Sequence, residues 1–403
     1  MNINKLFCMK IRIFVICLLS ASYLSAQTIV GQTDTVRAVI ASVPFAAFTP
    51  DARSAGLGDA GAALSPDANS VYWGAAKLAN SKKDYGVAFS YTPWLRNLVD
   101  DMQFVYASGF KKLSKNQALG FGVMYFDHGK FESRNSVGVQ TGDIYANEVY
   151  ATVAYSRKMS EHFSMGLNLK YIYSNLAGGY VAAGSSIKPA STAAGDISMY
   201  YHNEKVDEGT GRGWDMAGAL LLQNIGGKVN YGGTENGFIP TTFKLGGAAT
   251  RHIDLHNKIT FVLDVNKLMI PTPPVRDANK NITRGKNPNI SPISAIFSSW
   301  GDAPDGFKEE IKEFMISTGV EYWYNDLFAL RLGYFNETRM KGDRKYFTIG
   351  FGARIQQRYG FDFAYLMPQK QGSPLANTLR FSLLIDMFKK QVDDVPTIEE
   401  EGK

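Results

Sequence analysis

FSMGLNLKYIY, residues 163–173, is the stretch that decides the fold. In an extended chain successive side chains point to opposite faces. Phe163, Met165, Leu167, Leu169, Tyr171 and Tyr173 therefore share one face, and Ser164, Gly166, Asn168 and Lys170 share the other. A strand with one apolar face and one small or polar face suits lipid on one side and a polar lumen on the other. Hydrocarbon offers no water to unpaired backbone groups, so strands can cross it only as a closed barrel without edges.

Working outward, the same alternation predicts strands near 84–94, 102–111, 117–127, 145–158, 162–176, 194–203, 213–223, 240–251, 258–268, 314–324, 327–337, 344–356, 360–367 and 376–388. The expected fold class is all-β, a transmembrane antiparallel β-barrel of about 14 strands. A chain of 403 residues then reads as one barrel spanning 84–388, with an N-terminal periplasmic and plug segment at 27–83 and a periplasmic tail at 389–403. Connections at 111–116, 157–161, 252–257, 325–326 and 357–359 are short, and those alternating with them are mostly longer. Short periplasmic turns and long outer loops put the start of the first strand in the periplasm. Tyr91 with Trp94, and Tyr322 to Tyr324, sit near strand ends as interfacial aromatics should.

The first residues predict export. Lys5, Lys10 and Arg12 precede the apolar run from Ile13 to Leu19, and Ser25, Ala26 and Gln27 follow, so residues 1–26 read as a signal peptide cut after Ala26. Both cysteines, Cys8 and Cys17, fall inside it. The mature chain then carries no thiol for a disulfide, a nucleophile or a Cys-based zinc site. Removing three cations from a formal charge of +6 also removes the case for nucleic acid as a partner.

Two expected outer loops depart from plain barrel. Residues 177–194 are rich in Gly, Ala and Ser; residues 269–313 are far longer. The second loop begins with Ile270, Pro271, Pro273 and Pro274. It later places Ile293, Ile296, Phe297 and Trp300 at roughly helical spacing. Those four are candidate docking residues for a partner; a loop folded over its own barrel mouth is the alternative. Long loops without regular structure are usually functional or disordered.

The remaining chemistry-bearing patterns are weak. Gly56-Leu57-Gly58-Asp59-Ala60-Gly61 is a literal GxGxxG, but no βαβ unit surrounds it, which counts against a nucleotide site. His128 follows Asp127 near Ser133 and Ser136, a spacing that an esterase or lipid A deacylase could use. His252 and His256 bracket an expected tight turn with Asp254, where side chains facing solvent are a simpler reading than a metal site. Lys170, Arg331, Arg380 and Asp264 fall on the lumen-facing register and are expected to form charge pairs filling the barrel; Phe126 and Phe335 are expected to point inward.

Ahead of the first strand, Asp51, Ala52, Arg53, Gly58, Asp59, Ala60 and Gly61 are followed by Ser65, Pro66, Asp67, Ala68, Asn69, Ser70, Tyr72 and Trp73. In this order the residues resemble the amino-terminal signature of the PorV family of Bacteroidota type IX secretion outer-membrane proteins, itself within the wider FadL-like barrels. The likeness runs from Val43, Pro44 and Phe45 to the last expected strand. The resemblance implies that residues 43–80 fold into the lumen as a plug carrying Asp51, Arg53, Gly58, Asp59, Gly61, Asp67, Asn69 and Trp73. One departure is Gly74, Ala75 and Ala76, where FadL-like proteins commonly carry Asn-Pro-Ala after the tryptophan; it puts inherited fatty-acid gating in doubt.

The resemblance further implies a non-enzymatic cargo receptor and shuttle in the bacterial outer membrane, with no cofactor. Its implied partners are secreted cargo with a C-terminal β-sandwich signal, a large outer-membrane translocon, the sortase PorU attachment complex and outer-membrane lipid. Two alternatives stay open at this point. One is a FadL-like transporter of long-chain fatty acids or other hydrophobic molecules; the other is a lipid A deacylase using His128.

Overall fold

Strand alternation organises the whole molecule in a computed structural model, which describes residues 37–387 apart from 97–98, 136, 177–180, 183–184 and 234–235. The expected signal peptide with Cys8 and Cys17, Ser136 and the tail at 389–403 lie outside the described residues.

Fourteen antiparallel strands form a closed barrel. They are β1 Tyr85–Pro93, β2 Gln103–Ser114, β3 Gln117–Arg134, β4 Gln140–Lys158, β5 Phe163–Asn175, β6 Ala190–Val206 and β7 Gly213–Gly226, followed by β8 Thr242–His252, β9 Asn257–Leu268, β10 Met315–Tyr324, β11 Phe328–Asn336, β12 Lys345–Ile355, β13 Tyr359–Pro368 and β14 Thr378–Met387. Each strand pairs with its neighbours in sequence, and β1 closes on β14 in the register Val87↔Ile385. Closure leaves no edge, the condition for a sheet to stand in hydrocarbon. Outward residues such as Leu167, Leu169 and Tyr171 on β5 are exposed, and Ser164, Asn168 and Lys170 between them are buried.

β3 and β4 run well past their expected ends, to Arg134 and from Gln140. A register shift between Asp127 and Lys130 marks where this hairpin leaves the regular ladder. Beyond it the residues are polar apart from the paired Phe131 and Ile144, so hydrophobic alternation could not signal the extension. The connections at the end where β1 starts and β14 finishes, such as 253–256 and 356–358, are all six residues or shorter; those at the other end are longer, up to 269–314, apart from the tip of the extended β3–β4 hairpin at 135–139. By the loop-length asymmetry of outer-membrane barrels, the second end faces the cell exterior. Among the described residues no helix is long and apolar enough to cross a membrane.

Most of the inward faces are covered by the chain itself. Residues 43–80 pass down the interior through a 3-10 turn Pro44–Ala47, α1 Ala52–Ala55, α2 Ser70–Trp73 and a second 3-10 turn Ala75–Asn80. Strand residues all around the barrel bind this segment. Ser382 on β14 accepts from Ala52 N at 2.9 Å, and Asn168 on β5 donates to Val71 O at 2.7 Å. On β9, Asp264 accepts from Gly61 N and Ala62 N at 2.8 and 2.9 Å. Gly166, in the stretch that decides the fold, lies so close to Ala75 and Ala76 that a side chain there would collide with their backbone. The polar face of that stretch is thus a binding surface for the chain's own backbone.

Direction matters too. Arg37 N donates to Met340 O at 2.9 Å in the outer connection between β11 and β12, and Ser42 N donates to Phe238 O at 2.7 Å in the outer connection between β7 and β8. The described chain therefore starts at the outer mouth and descends to the periplasmic end before β1 begins.

Candidate docking loop and outer cavity

The outer connection 269–314 carries α3 Pro292–Ser298 and α4 Phe307–Glu310. Ser291 caps α3 by accepting from Ser294 N at 3.1 Å, and Pro292 occupies the first turn, where its missing N–H has no helical partner to lose. Ile293 is 57% and Phe297 75% exposed, while Ile296 is half-buried. Trp300 packs edge-on to Phe243, centroids 5.4 Å apart, and lies 6.3 Å from Phe314. Phe243 alternates with inward-facing Thr242 and Lys244, so Trp300 rests on the outer surface of the barrel rim. The four residues expected as docking anchors therefore divide: Trp300 is partly seated on the barrel, and Ile293 and Phe297 are displayed. Phe307 on α4 and Ile311 just after it, which helical spacing around Trp300 did not single out, are also exposed.

An ion network holds this loop to the rim. Lys267, on the outward register of β9, is buried under the loop between Glu310 and Glu313. Lys341 bonds Glu309 at 2.7 Å and Glu313 at 2.8 Å. Arg37 bonds Glu309 at 2.8 Å and also Asp305, which in turn pairs with Arg284. Burial would raise the Glu309 carboxyl, but hydrogen bonds from Arg37 and Lys341 outweigh it and hold it at about 2. Asp302, Glu310 and Glu313 come close enough together to suggest a cation site, but the Lys267 ammonium already lies between two of them.

Inside the mouth is a cavity of about 710 Å³. Phe48, Trp94, Phe335, Tyr346, Leu366 and Leu375 supply apolar wall, and Asp59 and Thr49 of the inner segment lie at its floor. Phe335 and Tyr346 stack with centroids 4.8 Å apart, and Phe126 packs behind Phe48 at 5.8 Å. Both phenylalanines expected to face inward do so.

The signature residues of the inner segment hold it together and to the wall. Asp51 accepts from Ser54 N at 2.8 Å and from Trp73 Nε1 at 2.7 Å. Arg53 bonds Glu321 at 2.8 Å and Ser65 at 2.9 Å, and stands 3.8 Å from Asp67. Gly58 has φ 69°, a conformation open to glycine, and a side chain at Gly61 would strike the Trp73 ring. Asp59 meets Arg380 at 3.2 Å and accepts from the Tyr346 hydroxyl. Asp67 accepts from Asn69 N at 2.8 Å, while the Asn69 amide is buried with no partner among the described residues.

The expected luminal charge pairs form for Lys170 with Asp196, Arg331 with Glu321 and Asp362, and Arg380 with Asp59. Asp264 departs from that expectation, since it receives backbone N–H groups from Gly61 and Ala62. Of the GxGxxG backbone donors, Gly61 N thus faces a carboxylate of the wall, Gly58 N donates to the Thr348 hydroxyl at 2.9 Å and the others bond to local carbonyls, which leaves no phosphate cradle. His128 bonds Glu148 at 2.9 Å, and Ser133 bonds Thr141 at 3.0 Å, so the structure does not join that histidine and serine. Ser174 donates to the same Glu148 at 2.6 Å, giving a carboxylate between serine and histidine, the wrong order for a histidine base to activate the serine. His256 pairs with Asn325 at 3.1 Å, away from His252.

The sequence model of the family described as type IX secretion system protein PorV matches residues 31–275. No curated protein matches the chain. Among solved structures the chain is similar to the toluene transporter TbuX of Ralstonia pickettii, at 11% identity over 84% of this chain and 98% of that one, TM-score 0.45. It is also similar to the toluene transporter TodX of Pseudomonas putida, at 11% identity over 84% and 99%, TM-score 0.48. A Pseudomonas aeruginosa FadL homologue aligns at 11% identity over 84% and 98%, TM-score 0.44.

Proposed function

The chain belongs to the PorV family of type IX secretion system proteins, and from that premise we propose that this outer-membrane barrel is a receptor and shuttle for secreted cargo. It binds the C-terminal β-sandwich signal of a cargo protein at the translocon and delivers it to the PorU sortase attachment complex. The chemistry then belongs to the partner, and this chain contributes recognition and movement in the plane of the membrane.

The observation that carries the reading is the outer loop. Three cations, Lys267, Lys341 and Arg37, fasten it to the rim, and Ile293, Phe297 and Phe307 stay exposed on it. A fastened loop presents apolar anchors without losing much entropy on binding. Each large side chain buried by a partner contributes about 1.5–3 kcal/mol. Replacing Ile293 and Phe297 together by serine should release cargo during affinity purification of the tagged protein in mild detergent, read by mass spectrometry of the co-purified secreted proteins. Undiminished recovery of cargo with the double variant would remove this loop from the site.

Uptake of hydrophobic molecules draws support from the apolar wall of the outer cavity. Against it, Ser164, Asn168, Ser198 and Asp264, which would line a passage, are occupied by residues 61–76.

A further inference from the structure

Charges around the outer cavity can be accounted for one at a time. Arg380 meets Asp59 and Thr49 O, Arg344 meets Glu337, Lys341 meets Glu309 and Glu313, and Lys370 meets Asp343. Lys345 is half-buried at the rim. Lys244 is different. It is 6% exposed and lines the cavity, and its ammonium stands 4.5 Å from the Trp73 ring centre and 5.2 Å from that of Tyr72. Among the described residues it has no hydrogen bond or ion pair. Aromatic faces attract a cation, but a buried charge ordinarily also has an anionic or hydrogen-bonding partner. Asp264, which also attracts this ammonium, is bonded to Gly61 N and Ala62 N, and the three carboxylates on the cavity, Asp59, Glu337 and Asp343, are already taken by Arg380, Arg344 and Lys370.

We infer that this cavity is a binding site for a peptide segment of the cargo signal domain, with a carboxylate of that segment meeting Lys244 and its apolar side chains meeting Phe335, Tyr346 and Leu366. The inference rests on the receptor reading above and adds the place and chemistry of recognition. A volume of about 710 Å³ is in the range that encloses a compact ligand. The ligand brings a negative charge because Lys244 is a buried cation on the cavity with no ion pair among the described residues. It is a peptide because the cavity is bounded by the ion pairs Glu337–Arg344 and Asp343–Lys370. An alkyl chain would desolvate these pairs without recompense, whereas peptide amides and polar side chains can hydrogen-bond to them.

The test places a photoreactive benzophenone amino acid at Leu366, on the cavity wall, or at Phe297, on the exposed loop, in cells that are secreting. Adducts are identified by mass spectrometry. In the wild-type background the Leu366 probe should recover peptides of cargo C-terminal signal domains. Adding Lys244→Met should lower that yield by about tenfold, the scale of one lost charge-assisted contact, and Lys244→Arg should keep most of it. Heat-modifiability on gels confirms that each barrel folds; if Lys244→Met fails this check, the wild-type and Lys244→Arg yields at Leu366 decide. Cargo adducts at Phe297 with none, or only lipid, at Leu366 would overturn the cavity inference and leave the receptor reading standing. An unchanged yield with a folded Lys244→Met barrel would overturn the role of Lys244. No cargo adduct at either probe would overturn the receptor reading itself.

Discussion

Glu321 joins two guanidinium groups from distant parts of the chain. Arg53 of the inner segment bonds it at 2.8 Å, and Arg331 of the neighbouring strand bonds it at 2.7 Å. Arg331 continues to Asp362 at 2.8 Å, which also receives Arg354 at 2.8 Å. All of this lies away from water, where a pair adds little net stability but removing one partner leaves a buried charge uncompensated. Glu321→Gln should therefore destabilise the protein by about 3–5 kcal/mol, measured as a shift of the guanidinium chloride midpoint in detergent. It should also speed amide exchange at residues 52–55. A midpoint equal to the wild type would mean that these contacts do not hold the inner segment. Alternation placed Arg331 inward but could not bring Arg53 to the same carboxylate, because Arg53 and Glu321 are 268 residues apart. The same holds for Gly61 and Asp264, 203 residues apart, where the motif reading excluded a phosphate and the structure supplies the carboxylate that takes its place.

At the scale of the element, the outer loop shows where a pattern of period two stops being informative. Lys267 falls on the register that carries Phe261 and Leu263 into lipid, yet it is buried, because the loop folds back over the rim and brings Glu310 and Glu313 to it. Periodicity describes a strand and its two faces; it carries no information about a segment that crosses outside them. Helical spacing did find α3, since Ile293 and Phe297 are four apart on one exposed face. It could not tell that Trp300 rests against Phe243. The latch makes a prediction about pH. The Glu309 carboxyl is depressed from an ordinary 4.5 to about 2, so its stabilisation is fully present above about 4.5 and is lost as pH falls through about 2. Amide exchange across residues 302–313, corrected for intrinsic rates, should stay slow from neutral pH down to about 4.5 and rise as pH approaches about 2. Glu309→Gln should exchange fast already at neutral pH. If that variant exchanges like the wild type, the loop is held by packing and the ion pairs are incidental.

For the whole molecule, an even number of strands returns both ends of the barrel to one face, and the contrast between short and long connections assigns that face to the periplasm. Strand count, closure and this asymmetry could be read from residues because each strand repeats the same physical demand. The cavity could not, since its wall takes Phe48 from the inner segment, Trp94 from the first outer connection, Phe335 from β11 and Leu366 from β13. The orientation underlies both the loop and the cavity as exterior sites, and it has a direct consequence for the start of the described chain. Ile40, at the outer mouth, is 82% exposed, and Leu255, in a short turn at the opposite end, is 64% exposed. The only cysteines, Cys8 and Cys17, fall in the expected signal peptide, so introduced thiols should report without background. A membrane-impermeant maleimide should label Ile40→Cys in intact cells, and should label Leu255→Cys only after the outer membrane is permeabilised. The opposite pattern would invert the barrel, place the latched loop and Lys244 cavity on the periplasmic side, and remove the physical basis for capturing cargo at the cell surface.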